Sequence, residues 1–258
     1  MTRALGLRHV SPTATLPRLS QHVAANVRPL ASVDYQSAIR GRLSALGNDQ
    51  YGCCVPAGLM HAAQARMTAA MGSLWAPTTN ATLALYATLT GFDPATGKPD
   101  KGTDVETAMG YMASRGIILD VALRDMLHPV LLSANPDEQS LATGWFGWVG
   151  YSLALPLAAQ DMTTRFDVPA CGLNAEAGRP GGWGAHFIVS CAYEQSASSM
   201  MRRCISWGLD MEITQAFIDA YLLRADSGWS NDALDAMGMS LDGLDHEGLM
   251  QAAQSLQA

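Results

Sequence analysis

The sequence predicts an α+β domain with a helical first half and an antiparallel β-sheet second half, and three observations lead there. A polar, Gly-rich turn, Gly47-Asn48-Asp49-Gln50-Tyr51-Gly52, opens onto an Ala- and Met-rich stretch with helical periodicity from Cys54 to about Met71, stopped at Gly72. A second Gly-rich turn, Gly181-Gly182-Trp183-Gly184, delivers His186 onto the apolar run Phe187–Tyr193, which reads as a buried strand. With 48% hydrophobic and 15% charged residues, the 258-residue chain has material for one sizeable core and is not generally disordered.

Taken in order, residues 1–45 carry few periodic apolar runs and are punctuated by Pro12, Pro17 and Pro29. They read as an extended arm packed along the domain or onto a neighbour, away from the motif residues. Residues 46–228 form the domain. After the Cys54 helix, Thr79–Thr90 reads as a helix ended by Gly91, and Phe92–Asp100 as a Pro- and Gly-rich loop. Thr103-Asp104-Val105-Glu106 has the Thr-x-x-Glu pattern of a capping box, starting a helix that stops at Gly116.

Ile117–Val121 reads as a strand, Pro136–Phe146 as a helix and Trp148–Leu155 as a strand. Trp145 and Trp148 fit core packing better than a cleft lining. Asp161–Gly184 is rich in loop formers and leads into His186, as a cleft rim would. Asp210–Ala220 has a helical rhythm, and Tyr221–Ala225 reads as the last strand. Residues 229–258 form a helical tail with two short pieces and an amphipathic end.

Composition excludes several functions. The net charge of −7 and the lack of a Lys/Arg cluster argue against a nucleic-acid surface. No apolar run is long enough to span a membrane, and the opening residues lack the apolar core of a secretion signal. These features predict a cytoplasmic or particle-borne protein with no membrane partner. Five cysteines, two of them adjacent, fit free thiols better than a disulfide framework. There is no Cys-x-x-Cys, no His-Glu-x-x-His and no Gly-x-x-x-x-Gly-Lys, so no metal or other cofactor is expected. Cys171, Cys191 and Cys204 read as small core residues.

What remains is a thiol at a helix N-terminus, where peptide dipoles and free N–H groups favour an anion and lower its pKa. Cys54 is the preferred reactive thiol, with Cys53 in the turn before it. His61, two helical turns on, is out of reach and reads as a packed helix histidine. His186, opening a core strand after a flexible turn, is the candidate base.

At these residues the sequence resembles the papain-like cysteine peptidase superfamily. There a Gln lies six residues before the nucleophile and a Gly two before it, and a helix starts at the Cys. Asn48, Gly52 and Cys54 hold those places. Downstream come a His opening a strand and an Asn-Ser-Trp-Gly turn, matched by His186 and Ser206-Trp207-Gly208, and the Cys54–His186 interval suits the family. Two positions depart: Asn48 replaces the Gln, and Ile205 replaces the Asn that orients the histidine.

The resemblance implies a papain-like fold and four roles. Cys54 is the nucleophile, His186 the base, Asn48 an oxyanion donor and Ser206, or else an acidic residue from elsewhere, the group holding the imidazole. The implied activity is hydrolysis of peptide or isopeptide bonds through a thioester, with a polypeptide substrate. The Gly47-Asn48-Asp49-x-x-Gly52-x-Cys54 form also resembles proteins of tailed bacteriophages and bacteria. It keeps open a catalytically impaired structural protein of a virion or other assembly, contacting neighbours through the arm and tail, with an oligomer or particle as its state.

Overall fold

The computed structural model describes residues 3–8, 16–120, 123–196, 199–231, 234 and 241–255. In chain order, its main elements are β1 (Ser32–Asp34), α1 (Cys54–Met71), α2 (Thr79–Thr90), α3 (Val105–Arg115), β2 (Ile117–Asp120), β3 (Leu123–Asp125) and β4 (His128–Leu132). They continue with α4 (Pro136–Phe146), β5 (Val149–Leu155), β6 (Arg165–Phe166), β7 (Gly184–Gln195), β8 (Met200–Ser206), β9 (Leu209–Thr214), α5 (Gln215–Tyr221) and β10 (Leu222–Trp229). A further helix, His246–Ser255, closes the described chain.

The main sheet has the order β4-β10-β5-β7-β8-β9-β6, with β1 paired to β7. All its ladders are antiparallel except β6 with β9. Helix α1 lies against β7 and is buried nearly all round, as its Ala-rich composition allows. Gly58 sets the approach: a Cβ there would stand 2.7 Å from the Phe187 ring. Close contact at that point brings the first turn of α1, with Cys54, to the start of β7, where His186 lies.

Apolar side chains fill two main volumes. One lies between α1, α3 and the sheet and takes in Met109, Trp148, Phe187 and Ile205. The other lies where α4 and α5 pack and takes in Trp145, Phe146, Phe217 and Trp229. Trp145 and Trp148 are thus core residues, and the Trp148 indole N–H donates to the Gly228 carbonyl at 2.9 Å.

Four sequence expectations need correction. Cys171, read as a core residue, is exposed in the loop before β7, whereas Cys191 and Cys204 are buried. The Asp210–Ala220 stretch is not one helix: Leu209–Thr214 is β9, with Met211 and Ile213 buried and Asp210 and Glu212 turned toward Arg203, and only then does α5 begin. Thr214 ends the strand and caps the helix, accepting from the Phe217 N–H at 3.1 Å. The cap of α3 is Asp104 rather than Thr103, since the Asp104 carboxylate accepts from the Thr107 N–H at 2.8 Å. The described part of the arm packs along the domain, contributes β1, and at residues 3–8 crosses the motif residues it was expected to avoid. Residues 232–233 and 235–240 of the predicted helical tail, and Val121 at the end of the predicted strand, lie outside the described residues. Among the described residues no helix is long and apolar enough to cross a membrane.

Candidate active site

The thiol wall is built from one continuous stretch. Cys53 is the N-cap of α1 and makes no side-chain cap bond, so Cys54 is the first helical residue. The turn before it is tied to a distant loop. Asp100 accepts the Gly52 N–H on both carboxylate oxygens at 3.0 and 3.1 Å, and the Tyr86 hydroxyl donates to Asp100 at 2.6 Å. Tyr86 in turn accepts the Gly102 N–H at 2.9 Å. Asn48 is buried, with its side-chain amide donating to the Tyr51 carbonyl at 3.0 Å and the Ala4 carbonyl at 3.3 Å. Cys53 points away, toward the Leu46 carbonyl at 3.9 Å, and its burial pushes its pKa up.

The imidazole wall is assembled from three strands. His186 sits near the start of β7, opposite Leu153 of β5. Its Nε2 is 2.9 Å from the Ser206 hydroxyl, and its Nδ1 is buried with no hydrogen-bond partner. Ser206 ends β8, and the link to β9 is the two-residue turn Trp207-Gly208, with φ of +50° and +75°. Positive φ at both positions is the tight hairpin turn that matches strand twist, and an L-residue such as Trp207 accepts it at a cost of about 1–2 kcal/mol. The result is an indole lying flat on His186, centroids 4.2 Å apart and planes 11° from parallel. Ile205 turns into the α1 core instead, paired in register with Val189 and Asp210, so its side chain does not orient the imidazole.

His61 stays apart from this group: its ring nitrogens meet the Gln64 side chain at 3.1 Å and the Ser44 carbonyl at 3.0 Å. Its packed-helix reading agrees with that environment.

A third component lies between the walls. The segment Arg3–Arg8 crosses the cleft, exchanging backbone hydrogen bonds with both sides. The Ala4 N–H donates to the Asn48 carbonyl at 3.2 Å, and the Leu7 N–H to the Ala185 carbonyl at 3.4 Å. On the thiol side as well, the Thr103 N–H donates to the Gly6 carbonyl at 2.7 Å, and the Arg8 N–H to the Thr103 carbonyl at 3.0 Å. The Ala4 carbonyl also accepts from the Trp207 indole N–H at 3.0 Å. Gly6 is pinched: a Cβ on it would fall 1.8 Å from the Gly52 carbonyl oxygen, and one on Gly102 would fall 2.2 Å from the Gly6 carbonyl oxygen.

With this segment in place the site is dry. Cys54 is 1% exposed and His186 0%. Burial pushes the Cys54 thiol up to about 11, against the opposing pull of the Phe187, Gly6 and Val55 N–H groups that face the sulfur. Burial pushes the imidazole down to about 3, and the Arg3 guanidinium adds to the effect. The expected low-pKa thiolate is therefore not the species here, because desolvation outweighs the helix N-terminus. The closed site holds a neutral thiol beside a neutral imidazole.

No family model and no curated protein matches the sequence. Solved structures do. Xylellain, a cysteine protease from Xylella fastidiosa, aligns over 89% of this chain and 97% of its own with a TM-score of 0.66 and 10% identity. A proCathepsin B from Trypanosoma congolense aligns over 89% and 87% with a TM-score of 0.60 and 12% identity. Digestive procathepsin L 3 of Tenebrio molitor aligns over 88% and 76% with a TM-score of 0.57 and 11% identity. The chain has a papain-like fold.

Within this papain-like frame, Cys54, His186, Asn48 and Ser206 lie around one cleft. Sequence reasoning missed Asp100, Tyr86 and Thr103 on the thiol wall and Arg3–Arg8 between the walls. For Asp100, the one available signal was an acidic residue closing a Pro- and Gly-rich loop. Nothing local marks the other three. Among the described residues, no cluster of three or more His, Cys, Asp or Glu is placed to hold a metal ion.

Proposed function

We propose that this chain is a papain-like thiol hydrolase that cleaves peptide or isopeptide bonds through Cys54 and His186. The observation that carries the reading is the clamp on His186. Its Nε2 is engaged by Ser206 and one ring face is covered by Trp207, which leaves buried Nδ1 free next to a residue whose N–H points at the Cys54 sulfur.

In the open site, the Cys54 sulfur attacks the substrate carbonyl carbon as its proton passes to His186 Nδ1. The imidazolium donates its Nε2–H to Ser206. Negative charge on the carbonyl oxygen is met by the Cys54 N–H and the Asn48 side-chain amide, which in the closed state already donates to a peptide carbonyl, that of Ala4. The C–N bond breaks as His186 returns the proton to the leaving amine, giving a thioester on Cys54. Water then attacks the thioester, His186 takes its proton, and the thiol and a free acid are released.

A second reading is a catalytically impaired structural protein of a phage particle or other assembly, joined to neighbours through arm and tail. Ile205 in place of an orienting Asn and the closed, neutral site favour it. The two readings part on hydrolysis of a fluorogenic peptide library by protein carrying Gly6→Ala, the change that most crowds the segment in the cleft. The hydrolase reading expects turnover that vanishes when Cys54→Ala is added. A rate equal with and without the thiol would reject it.

A further inference from the structure

We infer that Asp100 is a positioning residue for the oxyanion donor: through the peptide unit between Tyr51 and Gly52 it holds the Asn48 side-chain amide in the direction that an attacked carbonyl requires. Its effect on turnover rests on the hydrolase reading. The hold on the amide does not.

One peptide unit is gripped at both ends. Its N–H, on Gly52, donates to both Asp100 carboxylate oxygens at 3.0 and 3.1 Å, and its C=O, on Tyr51, accepts from Asn48 Nδ2 at 3.0 Å. The other partner of Nδ2 is the Ala4 carbonyl at 3.3 Å. Both partners can only accept, so the side chain presents its NH2 group to them. With one hydrogen fixed on Tyr51, the other is aimed at the place a peptide carbonyl occupies. Hydrogen bonds in a chain polarise one another: an N–H given to a carboxylate makes the carbonyl of the same peptide a stronger acceptor, which tightens its grip on Asn48. The result is a carboxylate–peptide–amide relay on the thiol wall. Asn48 is one methylene shorter than a Gln, so its aim depends on the backbone of its own turn.

Four features mark the contact as built. Asp100 is exposed and could leave its carboxylate in water, yet both oxygens turn to Gly52. Fully buried Tyr86 fixes it there, donating to it at 2.6 Å while accepting the Gly102 N–H at 2.9 Å. The loop that carries Asp100 is seated on the turn itself, with the Phe92 ring 4.7 Å from that of Tyr86 and 5.0 Å from that of Tyr51. Gly52 permits the approach, since a Cβ there would stand 2.9 Å from an Asp100 oxygen.

The test is a double-mutant cycle on hydrolysis of a fluorogenic peptide by full-length protein carrying Gly6→Ala. Asn48→Ala lowers kcat by about a hundredfold, as loss of an oxyanion donor does. Asp100→Ala lowers kcat by about tenfold when Asn48 is present, the scale of one hydrogen bond to a charged group. In the Asn48→Ala background it lowers kcat by less than about twofold, because a residue that acts through Asn48 has nothing left to act on. KM stays unchanged throughout. Asp100→Asn, whose amide oxygen still accepts the Gly52 N–H, recovers most of the rate. A second measurement needs no turnover and no Gly6→Ala: in amide-resolved NMR of the otherwise wild-type chain, Asp100→Ala speeds water exchange of the Asn48 side-chain NH2 by about tenfold, with the backbone amides of α4 unchanged.

Three results overturn the inference. An equal loss of kcat from Asp100→Ala in both backgrounds would make Asp100 a general support of the turn. A loss confined to KM would place it in substrate binding. Unchanged exchange of the Asn48 amide would break the relay itself. If no variant hydrolyses peptide, the hydrolase reading falls, and the amide exchange still decides whether Asp100 holds Asn48.

Discussion

The two walls of the cleft are built in different ways. The thiol wall is largely local: Asn48, Gly52 and Cys54 lie in one turn-helix unit, and its long-range ties are Asp100 accepting the Gly52 N–H and Asn48 exchanging hydrogen bonds with Ala4. The imidazole wall is non-local, bringing His186 from β7, Ser206 and Trp207 from the β8–β9 hairpin and Arg3 from the other end of the chain. The local wall fixes its nucleophile through backbone that folds with the helix. The other wall depends on side-chain contacts, so its chemistry is the more easily retuned.

The largest expected effect lies on the local wall. In protein released by Gly6→Ala, Cys54→Ser keeps the shape of the turn but replaces the thiol with a far weaker nucleophile. The peptide hydrolysis rate should fall by about a thousandfold or more. Retention within tenfold would mean that Cys54 is not the attacking group.

Next comes pH, because both walls bury a titratable group in its neutral form. His186 has an ordinary value of 6.5 and about 3 in the closed fold. Between those values the unfolded chain binds more protons, so stability falls as pH drops from 6.5 toward 3. Cys54 is raised from 9.0 to about 11, so its contribution is intact below pH 9 and is lost as pH rises toward 11. Urea midpoints at pH 7, 4.5 and 10 measure both limbs. His186→Gln should reduce the acid slope, which His61 and His128 share because burial lowers them too, and leave the alkaline one; equal acid slopes in the two proteins would break the assignment.

The same contrast explains what could be read from the sequence. Elements of the local kind are visible as periodicity: α1, α2, α4, β5 and β7 lie close to where apolar spacing and Gly stops put them. The motif spacing also marked Cys54, His186 and Ser206. Where two periods overlap, reading fails. Leu209–Thr214 alternates like a strand but runs into α5 without a break signal, and only its pairing with β8 decides between them. Arg3–Arg8 is illegible for a further reason. Its partners, Asn48, Thr103, Ala185 and Trp207, are scattered through the fold, and six residues carrying one Gly, two Leu and two Arg name none of them.

A smaller effect tests the imidazole wall. Ser206→Ala removes the one hydrogen bond to Nε2 while Trp207 still covers the ring. Net hydrogen bonds of this kind are worth about 1 kcal/mol, so hydrolysis should fall about five- to tenfold in the Gly6→Ala background. The loss should lie in kcat rather than KM, because Ser206 touches the base and not the substrate. An unchanged rate would show that stacking on Trp207 alone positions the ring.

The smallest effect separates the two residues at the start of α3, which also borders the Arg3–Arg8 segment. Asp104→Ala removes the carboxylate that caps the helix, and should cost about 1 kcal/mol in urea unfolding. Thr103→Val should do almost nothing, or stabilise slightly, although the sequence pattern marks Thr103 as the cap. Its hydroxyl is buried without a partner, so replacing it with a methyl relieves an unmet polar group at nearly constant shape. The contacts Thr103 makes with Gly6 and Arg8 come from its backbone and survive the change. A loss of 1 kcal/mol or more in Thr103→Val, or faster iodoacetamide labelling of Cys54 in that variant, would mean that the side chain helps hold the Arg3–Arg8 segment.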